Sequence, residues 1–338
     1  MEVLDLIASG DTGPEQEMLP TIIDRFTVHG PNGRHPCLIT APAMCSISGA
    51  KDASWNRLFR VSTARSLAVQ LTRVVAYIHG RGTVHGDLHL GNVLLRLPSR
   101  LNGSSIDGLY KKYNPPSPEP VVRFDKQPLG PHVPKHAFSP TWLGQKSEEI
   151  PAEVNIILSD FGVAFAPSTE TRQEPHTPIA FGPLEAHSDL RHVLSYPADV
   201  WTLGCALWEI LGQRSLFDGF LVNEDDIPAE HIDTFGGFSP EWWGKWNKRS
   251  KYFQESGEPK EDRQVLSWDY LFERHIQKPR REVGIAEFDD NERAALMAML
   301  RSIFRFRPEE RVTIADVMQS EWIVQCALPD YEKSRTKA

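Results

Sequence analysis

The segment VHGDLHLGNVLLRL at residues 84–97 constrains the fold of this 338-residue chain more than any other stretch. It follows residues 61–80, where apolar side chains recur on one helical face up to a terminal glycine, a pattern that predicts a helix. Residues 93–97 form an apolar run of the strand type. The loop between them contains a carboxylate, Asp87, and a carboxamide, Asn92, five positions apart. The sequence therefore predicts a helix–loop–strand unit whose loop presents both groups.

A second acidic residue, Asp160, lies near the end of the apolar run at 154–162 and is followed by a Phe-Gly pair. Taken alone, an asparagine before a strand is commonly a turn residue. If the two strands pair as a hairpin, however, Asn92 and Asp160 can share one divalent cation through oxygen ligands. Magnesium suits such a site, because it takes few protein oxygens and completes its shell with phosphates and water. Asp87 would then stand in front and accept a hydroxyl proton during phosphoryl transfer.

The remaining pattern is mixed helix and strand with one irregular region. Residues 98–151 hold ten of the 26 prolines and show little periodicity, which favours an irregular insertion or linker. Further strands are predicted at 21–28 and 35–41, a central core helix at 197–212, and two more helices at 291–304 and 313–323.

Charge and composition exclude several classes of protein. The net charge of −8 argues against nucleic acid as the main partner, and no apolar stretch reaches the roughly 18 residues that span a bilayer. Residues 215–290 carry 17 acidic and 10 basic side chains, which indicates a solvated acidic insertion or, alternatively, a docking surface for basic peptides. The four cysteines are scattered and the N-terminus lacks the pattern of a signal peptide, as is typical of an intracellular protein.

Five motifs together resemble those of a eukaryotic protein kinase in order and approximate spacing. They are HGDLHLGN at 85–92, DFG at 160–162, PLE at 183–185, PADVW at 197–201 and RFRPEER at 305–311. Segments such as IILSDFG and WWGKWNKRSKYF are most similar to fungal kinases related to the SR-protein kinases, which also carry a spacer before the DFG motif.

The resemblance implies an α+β, protein-kinase-like fold that consists mainly of the helical C-terminal lobe with a truncated N-terminal lobe. The implied organisation is a remnant of the N-terminal lobe and hinge at 1–44, the C-terminal lobe at 45–325 and a tail at 326–338. The proline-rich insertion at 98–151 and the acidic insertion at 215–290 lie within the C-terminal lobe.

The resemblance also assigns roles around ATP and Mg²⁺. It makes Asp87 the catalytic aspartate and Asn92 and Asp160 the magnesium ligands, with Leu94 under the adenine. Ala41 to Ala43 would be the hinge whose backbone meets the adenine edge. The implied structural and substrate-side residues are Glu2 as the helix glutamate, Thr177 as the threonine that hydrogen-bonds the catalytic aspartate, Glu185 as the partner of Arg311, and Asp199 as the brace of the catalytic loop.

The chain departs from the family pattern at three places. Gly86 replaces the arginine that reads a phosphate on the activation segment, so regulation by such a phosphate is not expected. His89 replaces the usual lysine, and a neutral imidazole neutralises the transferring phosphoryl group less well, so we expect a slower reaction. The sequence also shows no glycine-rich loop and no V-A-I-K strand, which leaves the adenine pocket without its roof and strips apolar surface from the remaining strands.

Three functions are compatible with this pattern. The chain is an active serine/threonine kinase whose first exon is missing, a catalytically dead pseudokinase that binds partners, or a small-molecule phosphotransferase. The loop itself is closer to that of aminoglycoside and choline kinases, but the Glu185–Arg311 pair and the helix at 197–212 favour a peptide substrate. For the favoured kinase we expect a monomer of the cytoplasm or nucleus. Its substrate would be a protein, for which a basic, Ser/Arg-rich sequence is expected, without direct contact to nucleic acid or membrane.

Overall fold

A computed structural model describes residues 2–8, 13–98, 104–217, 223–260, 263 and 265–336. A small part rich in strands precedes a large helical part that contains most of the core. The strands are β1 (Ile22–Gly30), β2 (Gly33–Thr40), β3 (Ala43–Ser46), β4 (Val93–Arg96), β5 (Pro118–Pro120), β6 (His136–Phe138) and β7 (Ile156–Leu158). The first helices are α1 (Glu2–Ala8), α2 (Ile47–Asp52), α3 (Val61–Gly80), α4 (Ile106–Tyr113) and α5 (Tyr196–Leu211).

The remaining helices form the C-terminal half of the chain. They are α6 (Asp226–Phe235), α7 (Pro240–Lys245), α8 (Arg249–Tyr252), α9 (Trp268–Phe272), α10 (Lys278–Glu282), α11 (Asp290–Ile303), α12 (Ile314–Met318) and α13 (Leu328–Arg335). Two π-helical turns, Glu273–Gln277 and Trp322–Ala327, lead into α10 and α13.

Helices α3 and α5 pack against each other at the centre of the large part. Nearly every side chain of α5 from Asp199 onward is buried, as its uniformly apolar sequence predicts. Arg65 of α3 holds the C-terminal helices in place: its Nε lies 2.9 Å from Glu292 of α11 and its Nη1 lies 2.8 Å from Asp330 of α13. The predicted helix at 61–80 is confirmed by α3.

The strands form three antiparallel sheets, of which one positions the site. In the order β3-β4-β7, strand β4 pairs with β7 in a register that sets Val93 opposite Leu158. The expected pairing of the apolar run that follows Asn92 with the run that precedes Asp160 is therefore confirmed. The β1–β2 hairpin is a separate two-stranded sheet whose apolar residues Ile23, Phe26 and Val28 are exposed.

Both insertions contain more ordered structure than their composition suggests. Within 98–151, the exposed helix α4 begins at the N-cap Ser105, and β5 pairs with β6; residues 99–103 lie outside the described part of the chain. Residues 215–290 carry α6 to α10 and bury their own cluster around Trp246 and Phe253. That segment is packed rather than loosely solvated, because its aromatic side chains supply apolar surface that the charge count does not reveal.

Candidate active site

The loop that joins α3 to β4 is fixed at both ends by backbone hydrogen bonds. Val84 exchanges two bonds with Phe165, of 2.8 and 3.0 Å, and so ties the start of the loop to the segment after Asp160. At the other end, the carbonyl of Asn92 accepts bonds from both the backbone N–H and the hydroxyl of Ser159, each 2.8 Å. Asn92 and Asp160 therefore emerge at the same end of the β4–β7 pair.

Asn92 also holds Asp87 in place. Its Nδ2 donates to the Asp87 carbonyl at 2.9 Å and to the carboxylate Oδ2 at 3.2 Å. The other carboxylate oxygen, Oδ1, is buried and has no hydrogen-bond partner among the described residues. A buried carboxylate oxygen without a donor is costly unless a ligand supplies one. Asp87 is thus oriented by its neighbour with one acceptor left for an incoming donor.

His89 lies beside this open acceptor. Its Nδ1 accepts the backbone N–H of Gly91 at 3.0 Å, so the ring proton of the neutral form resides on Nε2. That Nε2 lies 3.7 Å from Asp87 Oδ1, too far for a hydrogen bond but close enough for electrostatic attraction.

The predicted adenine residues line one cavity of about 310 Å³. Ala41, Ala43 and Leu94 form part of its wall together with Asp160, whose backbone is left-handed with φ 63°. From above, Leu4 of α1 and Leu38 of β2 close part of the space. The structure thus brings the residues predicted as the hinge, the leucine predicted under the adenine and one predicted metal ligand around a common cavity.

Asp199 of α5 braces the loop from below. Its carboxylate accepts the backbone N–H groups of His85 at 2.7 Å and Gly86 at 3.0 Å, and His79 Nε2 lies 3.0 Å away. Burial alone would raise the pKa of Asp199, but the hydrogen bond and positive charge of His79 and the Gly86 N–H hold it below its ordinary value. Asp199 therefore remains ionised where the loop backbone needs an acceptor.

Glu185 and Arg311 form a fully buried pair. Arg311 donates to both carboxylate oxygens, at 2.7 and 3.1 Å, and also to the carbonyls of Pro197, Arg305 and Phe306. Each charge is thus compensated inside the protein, which is the condition under which a buried ion pair is tolerated. The pair fixes the end of the predicted activation segment, which runs from residue 160 to residue 185, to the start of α5.

Two predicted contacts differ from expectation or lie outside the described structure. Thr177 donates to the carbonyl of Gly86, at 3.2 Å, and not to the carboxylate of Asp87 as we expected. Glu2 begins α1, but its side chain lies outside the described part of the chain.

Sequence reasoning missed two supporting residues. His85 is buried, its Nε2 lies 2.9 Å from the carbonyl of Ser159, and burial lowers its pKa. Arg172 donates to the carbonyl of Val163 and lies over the ring of Phe165 at 4.5 Å. Arginine in a polar segment carries no sequence signal for such a contact, whereas the position of His85 before Gly86 and Asp87 could have indicated a role within the loop.

The fold is similar to that of a solved protein kinase domain. The two align with a TM-score of 0.58 at 16% identity, over 95% of this chain and 81% of the kinase domain. No protein-family model matches the sequence. In the part of the chain that the structure describes, no helix is both long and apolar enough to cross a membrane.

Curated relatives are protein kinases. The serine/threonine-protein kinase AFC1 of Arabidopsis thaliana is 26% identical over 82% of this chain and 52% of its own length, and AFC2 of the same plant is 22% identical over 84% and 58%. The dual specificity protein kinase lkh1 of Schizosaccharomyces pombe is 23% identical over 96% of this chain and 40% of its own length. The chain thus spans about half the length of these relatives. Together with the fold, these relatives support a protein of the eukaryotic protein kinase family.

Proposed function

We propose that this chain is a serine/threonine protein kinase that transfers the γ-phosphoryl group of ATP to a hydroxyl of a protein substrate. The observation that carries the proposal is the grouping of Asp87, Asn92 and Asp160 at one end of the β4–β7 pair, with Asp160 in the wall of a cavity of about 310 Å³. Asp87 accepts the proton of the attacking hydroxyl, and Asn92 fixes the carboxylate for that step.

The side chains around Asp87 fit Mg²⁺ better than a softer metal. Because Asn92 uses its Nδ2 on Asp87, its amide oxygen is left as a ligand beside the Asp160 carboxylate. Both predicted ligands, Asn92 and Asp160, offer hard oxygen donors, and among the described residues no cluster of three or more His, Cys, Asp or Glu forms a metal site of another type. When bound, Mg²⁺ would neutralise negative charge on the phosphate oxygens.

The proposed substrate is a basic, Ser/Arg-rich protein, and the proposed subgroup is the SR-protein-kinase-like enzymes of fungi. Supporting this, the whole chain carries a net charge of −8 and most of the acidic excess lies in 215–290. Such a field steers cationic peptides toward the large part of the molecule. We further propose a monomer of the cytoplasm or nucleus. With His89 in place of a lysine near Asp87, we expect slow turnover.

A thermal melt with and without Mg·ATP tests the site. We expect Mg·ATP, at 100-fold excess over Kd, to stabilise the chain by roughly 2.7 kcal/mol, because a ligand that binds only the native state does so by mass action. Asp160→Asn should abolish the magnesium-dependent part of the shift. Asp107→Asn, an exposed carboxylate on α4, is the matched control and should leave it unchanged.

Transfer assays then separate the three functions. Phosphate incorporation into a Ser/Arg peptide that Asp87→Asn abolishes would support the kinase. A folded chain without a magnesium-dependent shift would contradict it and leave a binding protein. Efficient phosphorylation of choline or an aminoglycoside, with the peptide ignored, would contradict the choice of a protein substrate.

A further inference from the structure

A second cavity, of about 580 Å³, lies in the large part of the molecule away from the proposed active site. It opens between the segment after α5, helix α6 and the turn that follows α9, and it shares no described lining residue with the nucleotide cavity. Its volume falls within the range of about 300 to 1,000 Å³ that is usual for ligand pockets.

The wall of this cavity is rich in arginine. Four arginines line it, and only two carboxylates, Glu230 and Asp233, are described beside them. The described lining therefore has a surplus of two positive charges on a protein whose net charge is −8. The arginines are Arg57, Arg214, Arg263 and Arg274.

Arg263 has hydrogen-bonding capacity that the described residues do not use. It pairs with Asp233 through one nitrogen and lies near the rings of Tyr252 and Phe253, at 5.3 and 5.6 Å. Within the described ranges, its buried Nε has no hydrogen-bond partner, and neither has the buried Oδ1 of Asp233. Native proteins rarely leave such groups unpaired. A ligand that offers an acceptor to Arg263 Nε and a donor to Asp233 Oδ1 would satisfy both groups.

Arg57 is held in a backbone conformation that arginine rarely adopts. Its φ is +57°, in the left-handed region, where a side chain other than glycine is disfavoured. Such strain concentrates at functional positions. Arg57 forms an ion pair with Asp52 in which both side chains are exposed. An exposed ion pair is too weak to prevent the guanidinium from binding another anion.

We infer that this cavity binds a phosphorylated segment of a protein partner. A phosphate carries a charge of about −1.5 to −2 and three strong acceptor oxygens, which matches the surplus of two charges. Guanidinium groups bind phosphate bidentately, and the described lining uses arginine and no lysine. A backbone N–H next to the phosphorylated residue supplies the donor that Asp233 Oδ1 lacks, which a bare phosphate dianion cannot do. The half-buried side chain of Leu266 in the same wall gives the rest of the segment an apolar contact.

Fluorescence anisotropy in the absence of ATP tests this inference independently of catalysis. The probe is a labelled ten-residue Ala/Gly peptide with one central phosphoserine and no basic residue. We expect it to bind at least tenfold more tightly than the same peptide with serine, and more tightly than the version with glutamate. Binding should weaken on raising the salt concentration, because the contact is electrostatic.

The decisive variant is Arg214→Gln combined with Arg274→Gln, since both side chains are exposed and the fold should tolerate their replacement. It should weaken phosphopeptide binding at least tenfold. The double replacement Arg34→Gln and Arg60→Gln removes the same charge from exposed positions outside the cavity and should leave affinity unchanged.

Three outcomes would overturn the inference. They are equal affinity for the serine and phosphoserine peptides, undiminished binding by the cavity variant at an unchanged melting temperature, and inorganic phosphate that competes with an affinity equal to that of the peptide. The last would show an ion site and not a peptide site.

Discussion

At the scale of single residues, His231 carries an unusual electrostatic cost. It is fully buried on α6, 4.3 Å from the ring of Phe217 and 4.9 Å from that of Trp201, and neither ring nitrogen has a hydrogen-bond partner among the described residues. Burial, reinforced by the charges of His187 and Arg311, lowers the pKa of His231 to about 3. The side chain therefore behaves as a neutral aromatic residue at ordinary pH.

Because the folded chain disfavours the protonated form of His231, its free energy of unfolding should fall in acid. In the unfolded chain the imidazole takes up a proton near pH 6.5, whereas the folded chain excludes it until pH is about 3. The free energy of unfolding is therefore fully retained above pH 6.5 and falls as pH drops toward 3, by up to about 1.4 kcal/mol per unit.

Urea unfolding at pH 7.5 and pH 5.0 measures this loss. Between these values the wild-type chain should lose about 2 kcal/mol more than His231→Phe, which keeps an aromatic ring without the titration. His29→Asn, at an exposed position on β1, should lose as much as the wild type. Equal losses in His231→Phe and the wild type would show that His231 is protonated within the fold.

At the scale of elements, the activation segment is fastened without a phosphate. Gly86 has φ +79°, and a Cβ there would lie 3.2 Å from the carbonyl of Val163, so the arginine of the family motif would be strained at this position. The same carbonyl accepts a bond from Arg172, whose backbone carbonyl in turn accepts the N–H of Leu194 at 2.8 Å. The guanidinium of Arg172 thus lies close to the position from which the arginine of the family motif would extend to bind a phosphate.

Removing that charge should loosen the segment selectively. We expect Arg172→Met to speed amide hydrogen exchange about tenfold or more at 163–177, because the charge-assisted hydrogen bond to the Val163 carbonyl, of about 1.5 to 3 kcal/mol, is lost together with the exposed pair with Glu170. Exchange in α3 should not change. Arg123→Met, which breaks an exposed pair with Asp125, is the control. Unaltered exchange at 163–177 would assign the order of the segment to other contacts.

The elements also show how much of the fold and of the candidate site could be predicted from the sequence. Periodicity predicted α3 and α5 because each buries a continuous apolar face or surface, and two apolar runs predicted the β4–β7 pair. The contact of Arg172 with Val163 joins residues nine positions apart within an irregular segment, and the packing around Trp246 brings in Ala229 and Ile232 of α6. No periodic pattern in the sequence encodes either arrangement. Likewise, the sequence predicted that Thr177 donates to Asp87, whereas it donates to the carbonyl of Gly86, because the conformation of the loop decides which oxygen the hydroxyl reaches.

At the scale of the whole molecule, stability is unevenly distributed. Helices α3 and α5 lie in the main core, whereas the β1–β2 hairpin exposes 63% of Ile23 and 46% of Phe26. A two-stranded hairpin has little stability of its own in water. Its described ties to the rest include an ion pair between Arg25 and Asp5, with Nη1 and Oδ2 2.7 Å apart. The bond from the Ala41 N–H to the Thr21 carbonyl only extends the hairpin's own ladder.

Hydrogen exchange should therefore separate the hairpin from the core. We expect amides at 22–40 to exchange through local opening within minutes, whereas those of α3 and α5 exchange only with global unfolding. Asp5→Asn should speed exchange in the hairpin alone, and Asp269→Asn, which breaks a similar pair between Arg293 and α9, should not. Because Leu38 and Thr40 line the nucleotide cavity, Mg·ATP should slow exchange in β2. Protection of the hairpin as strong as that of α3 without nucleotide would show that it belongs to the same cooperative unit as the core.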